Sequence, residues 1–184
     1  MSATASPAPT PVGLSTKLYY GLGSVAYGVK DNGFSYMLLI YYNQVLGLPA
    51  SWVGMGLMVA LIVDAFSDPL VGYLSDNLHS KWGRRHPFMY AAALPTTVAF
   101  YLLWNPPSGL SPAQLFAYFL AVAIAVRTFL TLYEIPSTSL VAELTEDYDT
   151  RTSMLSYRYF FGWWGGLSMS VFAYFFLLPQ DRGG

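Results

Sequence analysis

Two aspartates four residues apart, Asp64 and Asp68, sit inside a long apolar run that begins near Trp52. On a helix this spacing puts both carboxylates on one face, roughly 6 Å apart. The run is long enough to cross a bilayer, and a carboxylate at that depth costs about 2.5–3.5 kcal/mol on insertion scales. Two on one face also repel each other. Such a pair persists where it faces protein or water and has a cation, a proton or a basic residue to hold, so the spacing predicts a site. The plainer reading is a pair of acids at a helix end facing cytoplasm. It fits Asp64 and Asp68 poorly, because apolar residues continue on both sides, and fits Asp76 well.

The apolar segments carry five more charges: Lys30, Asp31, Arg127, Glu134 and Arg158. Arg127 and Glu134 are seven apart, two turns along one helix face. Lys30 and Asp31 are adjacent, so they point in different directions and do not simply cancel. The acids Asp31, Asp64, Asp68 and Glu134 outnumber the bases Lys30, Arg127 and Arg158 by one. A cavity shared by all of them would take a further cation or proton. Plainer roles stand beside this one. Lys30, Asp31 and Arg127 could be pairs that hold helices together, Glu134 lies by the kink of Ile135-Pro136, and Arg158 could snorkel to a membrane surface. His79 and His86 fall in a basic loop and read as solvated. The chain has no two His at metal spacing on helices and no Gly-rich loop followed by Lys-Ser or Lys-Thr.

The elements that position these charges are long apolar helices. Of 184 residues, 54% are hydrophobic and only 10% charged, against about 25% charged in a soluble domain. With apolar runs of helix-spanning length, this means an integral, all-α membrane protein. The net charge of −1 gives no bulk argument for nucleic acid. The absence of cysteine excludes disulfides, thiol chemistry and a Cys metal site. Residues 1–16 read as a disordered cytoplasmic tail, with no basic stretch followed by an apolar one. Residues 17–178 read as a transmembrane domain of about five helices, near 17–48, 50–76, 87–104, 112–144 and 151–178. Residues 179–184 read as a tail on the outside. Ser111 and Pro112 suit the start of the fourth helix, and Gly162 and Gly166 suit close helix packing.

Orientation follows from Lys and Arg. Lys17, the loop with Lys81, Arg84 and Arg85, and the loop before Arg151 fall on one side of the predicted spans, while the loops after segments one and three hold no Lys or Arg. The N-terminus and the loops after segments two and four are therefore expected in the cytoplasm, with Arg182 in the outside tail as the exception. Tyr19, Tyr20, Tyr41, Tyr42, Trp52, Trp82 and Trp104 fall near span ends, as an aromatic belt would.

Asp64-x-x-x-Asp68-Pro69, then Gly72 and Asp76, then Lys81-Trp82-Gly83-Arg84-Arg85-His86-Pro87, resembles the second helix and following loop of the glycoside–pentoside–hexuronide:cation symporters, the melibiose-carrier-like branch of the major facilitator superfamily. Glu134-Ile135-Pro136 resembles that family's fourth helix. Glu143-Leu144, Asp147 to Asp149, Arg151-Thr152 and Arg158 resemble its loop into the fifth. The resemblance covers about residues 17–178, most of an N-terminal six-helix half. It implies that Asp64 and Asp68 bind the coupling cation, as metal ligands if that ion is Na⁺, with Glu134 sharing the cation or sugar site. It implies a substrate or charge network at Asp31, Lys30, Arg127 and Arg158. Gly72, Asp76, Lys81, Gly83, Arg84 and Arg85 would form the cytoplasmic gating motif. Ser67, Leu61 and Thr138 stand where the melibiose carrier has asparagine, arginine and tryptophan, and Arg127 could supply the positive charge that Leu61 does not.

The expected function is cation-coupled symport of a sugar or glycoside by alternating access in the inner membrane, with H⁺ or Na⁺ as coupling ion and no cofactor. The superfamily builds a transporter from two six-helix halves. Five helices therefore read as an N-terminal fragment that needs further helices or a partner half-chain. The alternatives are a polytopic membrane enzyme holding Mg²⁺ on the aspartate pair, with Arg84 and Arg85 on a phosphate, and a non-transporting assembly partner.

Overall fold

The computed structural model describes residues 12–177. The expected tails fall mainly outside that range, residues 1–11 at one end and 178–184, with Arg182, at the other. All regular structure among the described residues is helical. The chain runs through α1 (Leu14–Leu22), α2 (Val25–Asn32), α3 (Leu38–Ile40), α4 (Ala50–Asn77), α5 (His86–Trp104), α6 (Pro112–Ser139), α7 (Val141–Leu144) and α8 (Tyr148–Phe172). Stretches 50–77, 86–104 and 112–144 are long and apolar enough to cross a membrane.

The first segment departs from the continuous helix expected over 17–48. It begins at Leu14, inside the stretch expected to be a disordered tail, and breaks at Gly23-Ser24 between α1 and α2. There the Ser24 hydroxyl donates to the Gly21 carbonyl at 2.7 Å, an alternative to the helical ladder that serine offers readily. Further on, π-helical turns at Gly33–Met37 and Tyr41–Val45 flank α3. Gly47, at φ +75°, then turns the chain toward α4.

Other ends follow from local chemistry. Ser111 and Gln114 cap α6 reciprocally: the Ser111 N–H donates to Gln114 Oε1 at 3.0 Å, and the Gln114 N–H to Ser111 Oγ at 3.4 Å. This is a capping box with Pro112 at the first helical position. α8 starts at Tyr148, three residues before the expected Arg151. The Asp147 carboxylate accepts the Thr150 N–H at 2.7 Å, which draws Tyr148–Thr150 into the first turn. Arg151 Nε donates to the Thr145 carbonyl at 2.7 Å and secures the connection from α7.

The described chain forms two compact units, one from residues 12–29 and 139–177, the other from 30–138. In the first, α1 and α2 pack on α8 through small residues. A Cβ on Gly28 would stand 2.7 Å from the carbonyl carbon of Gly162, and one on Gly165 would stand 2.6 Å from the Val25 carbonyl oxygen. The Ser24 hydroxyl also lies against the Arg158 carbonyl across this contact, and Lys17 Nζ donates to Ser153 Oγ at 3.0 Å.

The second unit buries Leu38, Tyr42, Val53, Leu103, Phe119 and Val126. Three tyrosine hydroxyls satisfy the last carbonyls of α5, which have no partner within their own helix. Tyr118 donates to Leu102 at 2.8 Å, Tyr42 to Leu103 at 2.8 Å and Tyr41 to Trp104 at 3.0 Å. Tyr42, expected in an aromatic belt, is instead fully buried. Its hydroxyl is needed at a helix end inside the unit rather than at a lipid surface.

Candidate functional site

Helices α4 and α6 meet in register. A Cβ on Gly56 would stand 2.6 Å from Phe119 Cε1, and one on Gly72 would lie 3.6 Å from Ile135 Cγ2. Between those levels Asp64 meets Arg127, and Asp68 meets Thr131. Each of the four pairs is 63 positions apart in sequence, so the two helices run parallel with constant offset. Ala60 and Ala123, both fully buried, fall at the same offset. The α4 face toward α6 thus steps by four through Gly56, Ala60, Asp64, Asp68 and Gly72. Small residues bring the helices close, and the two aspartates occupy the middle of the seam.

At the Asp64 level, Arg127 Nε donates to Oδ2 at 2.6 Å, and Nη2 reaches the same oxygen. Both side chains are largely buried. Asp64 Oδ1 is buried and accepts no hydrogen bond among the described residues. The Arg127 guanidinium also lies over the Phe34 ring, 5.3 Å from its centre. One turn on, the Thr131 hydroxyl donates to Asp68 Oδ1 at 2.9 Å. Glu134 sits a turn beyond Arg127's neighbour Leu130 on α6, where Oε1 accepts from the Thr138 hydroxyl at 3.3 Å. Lys30, half-buried on α2, stands within electrostatic reach of Asp31, Asp64 and Glu134, and of Arg127 as a like charge. Asp31 itself is exposed.

One unit therefore brings together Lys30, Asp31, Asp64, Asp68, Arg127 and Glu134, four acids against two bases. The arrangement holds two carboxylates one turn apart, with Arg127 paired to the first and Lys30 within electrostatic reach of it. Among the described residues no group of three or more His, Asp and Glu side chains converges to hold a metal. The ligands for a small ion here would be Asp64 and Asp68 with neutral oxygens such as the Thr131 hydroxyl.

Arg158 belongs to the other unit. It is 5% exposed, and its guanidinium lies over the Tyr20 ring, 5.5 Å from the centre. It packs inside that unit rather than reaching for a surface.

In the basic loop, Arg85 Nη2 pairs with Asp76 Oδ1 at 2.8 Å, joining the end of α4 to the start of α5. Gly83, at φ +90°, makes the turn between them. Lys81 and Arg84 are exposed. Gly72 lies on the α4–α6 seam, one turn before Asp76.

Sequence reasoning passed over Thr131 and Phe34. The signal for Thr131 was present: it follows Arg127 by four, as Asp68 follows Asp64. Phe34 had none, because its place depends on the π-helical turn Gly33–Met37.

Comparison with known proteins places this geometry in context. Residues 19–183 match the family described as MFS/sugar transport protein. The chain is 34% identical over 181 residues to an uncharacterized symporter of Synechocystis sp., covering 92% of this chain and 33% of the relative. It is 32% identical over 158 residues to the inner membrane symporter YicJ of Escherichia coli, covering 84% and 34%. It is 29% identical over 180 residues to the isoprimeverose transporter of Lactiplantibacillus pentosus, covering 94% and 37%. All three are transporters by name rather than enzymes. The chain spans about a third of the length of these curated relatives.

Proposed function

Because the chain belongs to the MFS/sugar transport protein family, an integral membrane transporter family, we propose that it carries the coupling-ion site of a symporter that moves a sugar or glycoside with H⁺ or Na⁺. The observation that carries this reading is the seam between α4 and α6. It holds Asp64 and Asp68 one turn apart, with Arg127 on the first and Thr131 on the second.

A cation on the pair removes repulsion between the carboxylates and neutralises charge that is expensive inside a membrane. Glu134, Lys30 and Asp31 lie in the same unit and supply further polar groups beside it. Sugar binding and ion binding then favour one conformation together, and each ligand raises the affinity for the other by the same factor. The loaded carrier exposes both ligands to the other side by rocking of helical bundles around the site. The Asp76–Arg85 pair, with Gly83 at its turn, would hold the cytoplasmic end closed, the N-terminus lying on that side. Helices beyond this chain, in the same protein or a partner, would complete the sugar cavity. The sugar class is supported by the resemblance of the motifs and by the name of the L. pentosus relative.

The test is uptake of labelled sugars into cells making the full-length protein, with and without Na⁺ and with and without a pH gradient. Asp64→Asn and Asp68→Asn are expected to abolish the stimulation by the ion. Unchanged cation-stimulated uptake in both variants would remove the pair from the mechanism.

A further inference from the structure

Arg127 grips Asp64 in an unusual way. Guanidinium and carboxylate commonly meet as two forks, each oxygen taking one N–H. Here both N–H groups go to Oδ2, and Oδ1 is buried with no hydrogen-bond partner among the described residues. A buried carboxylate oxygen without a donor costs free energy, so Oδ1 still gains from a ligand of its own even with Lys30 within electrostatic reach of Asp64. The Arg127 guanidinium also lies over the Phe34 ring, 5.3 Å from its centre. That ring is 5% exposed and belongs to the π-helical turn Gly33–Met37, and a π-helical turn inside a helical segment frequently marks a functional position.

From this geometry we propose that Arg127 is a tethered competitor for the coupling cation. Its guanidinium holds Asp64 through Oδ2 while the site awaits the ion, and an ion that takes Oδ1 and bridges to Asp68 meets this like charge beside it, so it binds fully as Arg127 loosens its hold. The Phe34 ring supports the guanidinium in the position where it competes. Arg127 is therefore a positioning residue that sets ion affinity: it lowers the gain from ion binding, so the ion also leaves readily. The ring contact passes the event to the first segment, since release of Asp64 changes what Phe34 packs against. This inference rests on the coupling-ion reading above.

The experiment is calorimetric titration of Na⁺ into purified full-length protein at fixed pH, for the wild type and the variants Asp68→Asn, Arg127→Gln and Phe34→Leu. The wild type is expected to bind Na⁺, and Asp68→Asn to lose that binding. Arg127→Gln is expected to bind about tenfold more tightly, equivalent to ~1.4 kcal/mol of competition removed. Phe34→Leu should shift affinity in the same direction by less. A purely structural role for Arg127 predicts the opposite, since loosening the seam would weaken the site. If the wild type binds, Asp68→Asn does not, and Arg127→Gln binds with unchanged or lower affinity, the competitor role is overturned while the ion site stands. If Arg127→Gln does not fold, Phe34→Leu decides, and unchanged affinity there overturns the role equally. No Na⁺ binding by the wild type overturns the inference and removes Na⁺ as the coupling ion, leaving proton symport to the uptake assay.

Discussion

Asp64 and Arg127 are 63 residues apart in the chain and face each other at one level of two parallel helices, and the same offset joins Asp68 to Thr131. The match is a consequence of helical periodicity. Steps of four keep residues near one face of each helix, so two parallel helices that agree at one level agree at the next. The polar levels lie between a tight contact at Gly56–Phe119 and an ordinary van der Waals contact at Gly72–Ile135, one on each side of the charges.

The ion pair is expected to show strong energetic coupling. Arg127→Gln alone leaves a buried carboxylate without its counter-charge, a loss of about 3–5 kcal/mol. Asp64→Asn together with Arg127→Gln removes both charges and should recover most of that loss. Loss of folded protein on heating in detergent, compared across the two single variants and the double, measures the coupling. A double variant that loses as much as the sum of the singles would show that the two side chains do not depend on each other.

The contact of α2 with α8 should respond unequally to the same substitution on its two sides. Gly28→Ala drives a methyl into the backbone of Gly162, whereas Gly162→Ala places one 3.7 Å from the Ser24 carbonyl oxygen, an ordinary contact. Overpacking of a tight contact costs about 1–3 kcal/mol, so Gly28→Ala should lower thermal stability clearly and Gly162→Ala little. Equal effects would mean that the helices can shift to make room.

The start of α8 should be acid-sensitive. The Thr150 side chain and backbone N–H both hydrogen-bond Asp147 and hold its carboxyl below the usual carboxylate range, with Lys17 adding a smaller pull. A carboxyl depressed in the folded state stabilises at pH above its unfolded value, and that contribution is lost as pH falls through the folded value. The Thr150 amide should therefore exchange faster with solvent as pH drops through the acid range, after correction for intrinsic exchange. Asp147→Ala should give the fast limit at every pH. A Thr150 protection factor independent of pH in the wild type would contradict the cap.

Much of this architecture is legible in the residues. Apolar runs bounded by Gly47-Leu48-Pro49, the basic loop and Asn105-Pro106-Pro107 mark long helices because nothing else satisfies so many backbone groups away from water. The aspartate pair stands out because charge in such a run needs a reason. What the residues hide is local. The break at Gly23-Ser24 depends on a serine hydroxyl choosing a nearby carbonyl, and the early start of α8 depends on Asp147 capping rather than simply being solvated. The partner of Asp64 was legible only in part, as a charge that Arg127 could supply in place of Leu61. Arg127 was one of several bases available, and the choice among them is made by the register of α4 on α6, which Gly56, Ala60 and Gly72 on α4 permit but no single motif announces.

The three tyrosine hydroxyls at the end of α5 have a mechanical consequence. Tyr41 and Tyr42 come from the first segment and Tyr118 from α6, so three stretches of chain are riveted at one point through neutral hydrogen bonds. At the opposite end of α5 the tie is the Asp76–Arg85 ion pair, whose aspartate is 56% exposed and open to screening by salt. Within this unit α5 is thus held by neutral bonds at Leu102–Trp104 and by a charged tie at the basic loop. Raising the ionic strength therefore weakens the tie at the basic loop and leaves the neutral one at Leu102–Trp104 in place.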